Sequence, residues 1–314
     1  MPRHGRNSPA LYSPSWFDHV MGVRHDEGRF EGARGLEIFW QAWLPETEPR
    51  ALVLIAHGGA EHSGRYAWVA GELTACGYAV YAIDHRGHGR SAGPRAFVDR
   101  IGNAVSDLHT LSELADQRHP TVPRFLLGHS MGGAIALAYA AHHQDELAGL
   151  VLSAPLAVLK VTSITRAVSR LLSALAPRLP VYKIDSTTVS RDPEVVRTYE
   201  RDPLNHRGLL PARTIGELTA AVGNLPDQLP TLRLPILVMH GTADRLVDPA
   251  GSALVRDRAG SDDCTLIGYD GLYHEILNEP ERERVLADIV GWLDARAGEP
   301  VLTATPDTPS TQGV

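Results

Sequence analysis

Residues Arg124 to Gly133 read RFLLGHSMGG, and the fold follows from how that string divides. Phe125 to Leu127 is a short apolar run of the kind that ends a buried strand. Gly128-His129-Ser130-Met131-Gly132 fits G-x-S-x-G, and Ala134 to Ala141 reads as a helix. A serine in this pattern, with a strand before and a helix after, marks a nucleophile elbow, where a tight turn forces the side chain out in strained geometry. Gly128 and Gly132 lack the bulk that would stop the backbones passing closely, and Gly133 lets the helix approach further. The helix start aims backbone N–H groups at the serine, which suits a developing oxyanion. A bare G-x-S-x-G is as readily a serine in a glycine-rich turn; the flanking strand and helix are what favour the nucleophile.

Outward from the elbow the same grammar repeats. Val23 to Phe30 and Leu36 to Leu44 suggest an antiparallel pair. Ala51 to Ala56 (ALVLIA) is a continuous apolar run, as expected of a central parallel strand. A helix over Tyr66 to Ala75, a strand over Tyr78 to Ile83 and a helix over Val98 to Arg118 follow. In the last, Ile101, Val105, Leu108, Leu111, Leu114 and Ala115 recur at helical spacing. Beyond the elbow come strands at Leu150 to Ser153, Ile236 to Met239 and Thr265 to Tyr269, with helices at Pro249 to Ala259 and Glu281 to Ala295. This alternation predicts an α/β fold with a mostly parallel central sheet and helices on both faces.

Residues 156–230 break the pattern, with helical periodicity, many prolines and no clear strand, and are read as a helical cap. Ile164, Val168, Leu171, Leu172, Leu175 and Leu179 share one helical face. Every charged residue between Leu156 and Ile184 is basic: Lys160, Arg166, Arg170, Arg178 and Lys183. Such a helix suits a lipid–water interface, or is a cap helix packed by its apolar face on the core. The chain thus divides into an extension (1–20), a first core segment (21–155), the cap (156–230), a second core segment (231–296) and a tail of disordered composition (297–314).

At 314 residues the chain can bury one large core with an insertion. Its net charge of −7 disfavours a nucleic-acid partner. Cys76 and Cys264 have no metal-type spacing and are read as reduced structural residues. No apolar run reaches the roughly 18 residues of a transmembrane helix. Arg3 and Arg6 precede no apolar segment of a signal peptide. A cytoplasmic or peripherally membrane-associated location is expected, and nothing marks a particular oligomeric state.

Ligands of open parallel sheets bind at the carboxyl ends of the strands. Ser130 sits at one such end and needs a base; histidine fits because it titrates near working pH. There are fifteen histidines, so position decides. His274, in the loop after the last strand, is the candidate base, or else a loop histidine capping the next helix. Asp244, just past the Ile236 to Met239 strand, is the candidate acid; Asp248 is the near rival, Asp270 a weaker one, and an Asx-turn role the alternative. The chain order is then serine, acid, histidine. The Met131 and Gly59 N–H groups are candidate oxyanion donors, unless Gly58-Gly59 is only a turn. Asp84-His85-Arg86-Gly87-His88-Gly89 has metal-like residue types, but its glycines and Arg86 favour a structural turn bracing the elbow. No metal or organic cofactor is called for.

Several strings together resemble the monoacylglycerol lipases of the α/β-hydrolase superfamily: His57 to Tyr66 (HGGAEHSGRY), Asp84 to Ser91 (DHRGHGRS), Gly128 to Gly133 (GHSMGG), His240 to Asp244, and Asp270 to Glu279 (DGLYHEILNE). The resemblance covers roughly residues 25–295; GHSMGG is shared by many hydrolases, whereas the first and last strings together are far more specific. It implies an α/β-hydrolase fold and hydrolysis of a monoacylglycerol, or a similar lipid ester, through an acyl-enzyme on Ser130. It also implies Asp244 and His274 as triad partners, and Gly59, where the family often has alanine, with Met131 as oxyanion donors. Through Ile184-Asp185-Ser186 to Asp202-Pro203-Leu204 it further implies Glu61, Arg65 and Tyr199 near the glycerol end; a buried ion pair and cap packing are the plainer readings of these three. The rest of the cap departs from the family. A lysophospholipase or broader carboxylesterase would share the triad, as would an acyltransferase or cofactor-free haloperoxidase, and a non-catalytic lipid-binding protein would share the fold. Serine rather than aspartate at the elbow disfavours an epoxide hydrolase or dehalogenase.

Overall fold

The computed structural model describes residues 23–159 and 162–297; the extension 1–20, nearly all of the tail and Lys160 lie outside them. Strands β1 (Arg24–Glu31), β2 (Glu37–Leu44), β3 (Ala51–Ala56), β4 (Tyr78–Ile83), β5 (Arg124–His129) and β6 (Gly149–Ser153) precede the insertion. Strands β9 (Ile236–Gly241) and β10 (Cys264–Tyr269) follow it. They form one sheet in the order β1-β2-β4-β3-β5-β6-β9-β10. The β1–β2 and β2–β4 pairs are antiparallel and the others parallel. The sequence places these strands closely because a strand covered on both faces must be apolar at successive positions. In β3, Leu52, Leu54 and Ala56 join one buried cluster and Val53 and Ile55 the other, as a period of two requires.

Helices α1 (Ala67–Ala75) and, at the end of the chain, α8 (Arg282–Asp294) cover one face. Helices α2 (Ile101–Arg118), α3 (Met131–His143) and, after the insertion, α7 (Ala250–Arg258) cover the other. Among the described residues no helix is long and apolar enough to cross a membrane. The helix expected from Tyr66 begins one residue later, Tyr66 closing a 3-10 turn (Ser63–Tyr66), and α2 begins three residues later than the periodicity suggested.

The insertion holds α4 (Ser163–Leu175), α5 (Pro193–Arg201) and α6 (Ala212–Gln228). Thr162 caps α4 and Asp192 caps α5, each through a side-chain oxygen that accepts a helix N–H. The expectation of no strand here is corrected: β7 (Pro180–Lys183) and β8 (Leu209–Pro211) pair as a two-stranded ribbon. Strands of four and three residues, one starting and one ending on proline, are too short to show period-2 alternation. The apolar face of α4 divides. Val168 and Leu172 turn to a cavity, while Ile164, Leu171 and Leu175 are 77%, 58% and 76% exposed. Leu179 falls beyond the helix.

Candidate active site

Ser130 joins β5 to α3 with φ 52° and ψ −116°, a sparsely populated region that costs on the order of 1–3 kcal/mol. Neighbouring backbone bonds hold it there: its N–H donates to Ser153 O (3.1 Å), and its carbonyl accepts from Leu156 N (3.0 Å) and Ala134 N (3.2 Å). The glycines of the motif are required by contact. A Cβ on Gly132 would run into the carbonyl oxygens of Ala56 and His57, and one on Gly128 would lie 2.6 Å from Gly132 O. The elbow predicted from RFLLGHSMGG is therefore present, glycines included.

The loops at the strand ends bring the other candidates to it. His274 is 2% exposed, and its ring lies 4.7 Å from that of His129, the residue before Ser130. Its Nδ1 donates to Asp244 Oδ2 across 2.6 Å. Asp244 Oδ1 accepts from the N–H groups of Leu246 (2.8 Å) and Val247 (3.0 Å). Burial alone would raise the Asp244 carboxyl, but hydrogen bonds from His240 and His274 outweigh it and hold the group well below the usual carboxylate range. The two rival acids are engaged otherwise: Asp248 Oδ1 accepts the Ala250 N–H at the start of α7 (3.0 Å), and Asp270 accepts from Thr242 Oγ1 (3.2 Å).

Gly59, Ser130 and Met131 share the floor of a cavity of about 410 Å³ beneath the insertion. Its walls are mainly aliphatic, with Leu159, Val168, Leu172, Ile184, Leu210 and Leu218 among them. A Cβ on Gly59 would lie 3.7 Å from Met131 Cβ, so the two candidate oxyanion donors stand on adjoining chain segments. Among the described residues no acceptor takes the N–H of Gly59 or of Met131.

Glu61, Arg65 and Tyr199 come together, but none lines that cavity. Glu61 Oε1 accepts from Gly58 N (2.6 Å) and Tyr66 OH (2.8 Å), and Oε2 from Arg65 (2.5 Å). Arg65 also makes a two-pronged bond to Glu275, at 2.6 Å on each arm, and stacks over the Tyr199 ring at 4.8 Å. Burial would raise the Glu61 carboxyl; Arg65, then His129 and His57 and the Gly58 N–H, hold it at about 2. The loop that carries Gly59 is thus tied from beneath. Above, His206 N donates to Ala60 O (2.9 Å) and His62 pairs with Asp202 (2.9 Å), fastening the insertion to the same loop.

The 84–91 turn is tied to the loop after β3 and to α2 with the segment before it, and these bonds do not reach the elbow. Asp84 accepts from Ser63 N, Ser63 Oγ and Arg90 N, while Arg86 is paired with Asp99 and Asp107. Among the described residues one group of three metal-capable side chains comes together, His109, His143 and Glu146, at the opposite end of α3 from Ser130. The two imidazoles are stacked at 4.2 Å with planes 22° apart, so their lone pairs run side by side and do not converge on one ion. His143 and Tyr139 bond to Glu146 instead, each at 3.1 Å.

One residue of the site escaped the sequence reading. His240, the penultimate residue of β9, donates from Nε2 to Asp244 Oδ2 (2.9 Å). Its spacing of four from Asp244 was visible, but only the turn after β9 makes the two meet.

Fold and site together define a serine hydrolase of the α/β-hydrolase type. Residues 47–281 match the family described as "Serine aminopeptidase, S33" (Hydrolase_4). The chain is 46% identical over 276 residues to a monoacylglycerol lipase of Mycolicibacterium smegmatis, covering 87% of this chain and 99% of that one. It is 38% identical over 283 residues to the monoglyceride lipase of Homo sapiens, covering 88% and 91%. The solved structure of a soluble variant of the Saccharomyces cerevisiae monoglyceride lipase, in complex with a substrate analog, superposes with a TM-score of 0.80 at 25% identity, covering 93% of this chain and 100% of that one. The chain belongs to the monoacylglycerol lipase family.

Proposed function

We propose that the protein hydrolyses monoacylglycerols to a fatty acid and glycerol, with Ser130, Asp244 and His274 as its catalytic triad. The observation that carries this is a strained serine on the floor of an aliphatic cavity, with a buried aspartate–histidine pair whose imidazole packs on His129, the residue before the serine. The acyl chain lies along the cavity wall. Ser130 Oγ attacks the ester carbonyl as His274 Nε2 takes its proton; Asp244, bonded to Nδ1, fixes the tautomer and stabilises the imidazolium. Gly59 and Met131 N–H groups receive the oxyanion. His274 returns the proton to the departing glycerol oxygen, and a water molecule repeats the sequence on the acyl-enzyme. Glu61, Arg65 and Tyr199 serve the glycerol end by holding the loop of Gly58 and Gly59, which their mutual bonds support. Family membership supports the substrate class. Fatty-acid release from monoacylglycerol, diacylglycerol and lysophosphatidylcholine tests it: monoacylglycerol is expected to lead clearly, and equal or faster release from the lysophospholipid would make the protein a broader lipid esterase.

The insertion, which we take as residues 156–230, acts as a cap that meets the lipid surface. Ile164, Leu171 and Leu175 are exposed on one side of α4, and Arg166 and Arg170 share the helix. Replacing these three apolar residues by serine is expected to lower co-sedimentation with anionic vesicles several-fold and to leave hydrolysis of a short, water-soluble ester within about twofold. Unchanged co-sedimentation would remove α4 as the contact.

A further inference from the structure

The carboxylate of Asp244 is shared. Oδ2 takes two N–H donors, His274 Nδ1 at 2.6 Å and His240 Nε2 at 2.9 Å, while Oδ1 takes two backbone N–H groups. All four acceptor positions of the group are therefore filled. His240 is 3% exposed and cannot trade this bond for one to water. Its protonation pattern follows from what surrounds it. Nε2 faces two acceptors, Asp244 Oδ2 and the Val247 carbonyl at 3.3 Å, and a lone pair there would be repelled by both. Nε2 therefore carries the proton. Nδ1 lies 2.6 Å from Ser252 Oγ, which is 1% exposed and can donate its hydroxyl proton to the ring. Ser252 in this way satisfies the ring nitrogen left as an acceptor and so stabilises the tautomer that presents N–H to Asp244.

We propose that His240, set by Ser252, is a positioning residue of the catalytic reaction: it holds Asp244 toward His274 and, by occupying the same oxygen, limits how strongly the carboxylate stabilises the His274 imidazolium. The proposal rests on the triad assigned above. A carboxylate with one donor fewer is a stronger acceptor for the donor that remains. Losing the His240 bond should therefore keep His274 protonated to higher pH, and it also frees Asp244 to turn away.

Among the described residues the other ionisable groups around the Asp244–His274 pair are few; Glu279, which accepts the Tyr273 N–H (2.9 Å), is paired with Arg191. His129 packs its ring against that of His274 from β5, and Glu275, the next residue, is bound to Arg65 and Asn278. Arg245, in the loop of the acid, lies over the Tyr273 ring, and Asp248 accepts from Ala250 N. None of the contacts just named involves His240, so a shifted profile reports the lost bond.

The test is the pH dependence of kcat and kcat/KM for monoacylglycerol hydrolysis by the full chain and three variants. His240→Leu removes the donor and fills the space. It is expected to lower kcat by about tenfold or more with KM within twofold, and to move the acid limb of kcat/KM upward by about half a pH unit or more. His240→Gln, whose amide can put an N–H where Nε2 stood, should restore the limb and most of kcat. Ser252→Ala releases the tautomer and should move the limb in the same direction by less; it also supplies a readout should His240→Leu not fold. Superimposable acid limbs for folded His240→Leu or Ser252→Ala and the parent chain would overturn the proposal, as would a Gln variant no better than Leu. The triad reading fails differently: turnover would survive loss of Ser130 whatever stands at 240.

Discussion

Replacing Ser130 by alanine is expected to abolish fatty-acid release, lowering kcat by at least about 10⁴-fold, while the protein stays folded. The size follows from the proposed chemistry: among the described residues the cavity's other hydroxyls, of Thr165, Ser169, Tyr182 and Thr219, stand on α4, β7 and α6 of the insertion, and Ser130 is the one on the floor with Gly59 and Met131. The fold should survive because the bonds holding the elbow are made by backbone atoms of residue 130, which alanine retains. Alanine also meets the same φ of 52° that serine does, so strain is unchanged. Fatty-acid titration measures the loss, and a thermal unfolding curve within a few degrees of the parent secures the control. A folded variant turning over within tenfold of the parent would end the acyl-enzyme mechanism. Failure of a fluorophosphonate to label Ser130 in the parent chain would point instead to a lipid-binding role.

How much of this site could be read from the sequence depended on whether a residue's role is local. The elbow is local: strand, G-x-S-x-G and helix are contiguous, and the glycines announce a close approach. Asp244 and His274 were singled out as candidates by order and by position after strands, because the fold class fixes which end of a strand is functional, and the structure pairs them. His240 was passed over because its meaning lies in a turn that brings Nε2 back to the acid, and β9 reads as an apolar strand whether or not it does so. Glu61 was recognised by resemblance, but its three-residue reach back to Gly58 N is a matter of geometry. The ribbon of β7 and β8 joins segments too short and too far apart to announce one another. The exposure of α4 could not be read either, since amphipathicity says that a helix has an apolar face and not what covers it.

Acid should unfold this protein early, and the reason is a set of histidines outside the proposed chemistry. His57, His85, His88 and His129 are 0%, 0%, 2% and 4% exposed. Each is built to be neutral. His57 Nε2 accepts the His85 backbone N–H (2.9 Å), so it cannot carry a proton there. Both ring nitrogens of His85, and Nε2 of His88, lack a partner among the described residues. His57 lies between the other two, ring centroids 4.5 and 5.4 Å away, so charge on one opposes charge on the next. Burial, above all, lowers the four: His85 well below the ordinary value, where His57, His88 and Arg86 add to the effect, His88 to about 3, His129 to about 4, and His57 below 6.5. The folded state therefore stays unprotonated at these sites while the unfolded chain takes up protons below about pH 6.5. Their contribution is whole above that pH and is lost as pH falls toward the folded values. Each proton is worth roughly 1.4 kcal/mol per pH unit. With uptake approaching three protons from His85, His88 and His129 near pH 5, and a further part from His57, unfolding free energy should fall by roughly 4 kcal/mol per unit, against typical stabilities of about 5–15 kcal/mol. Glu61 and Asp244, both held low, add to the loss only below their own unfolded values, near pH 4. Urea unfolding midpoints between pH 8 and 5 measure the slope; uptake of less than one proton would refute the account. His85→Phe, which swaps a ring with no hydrogen-bonded nitrogen for one that cannot titrate, should remove one proton from that slope and leave the stability at pH 8 close to that of the parent.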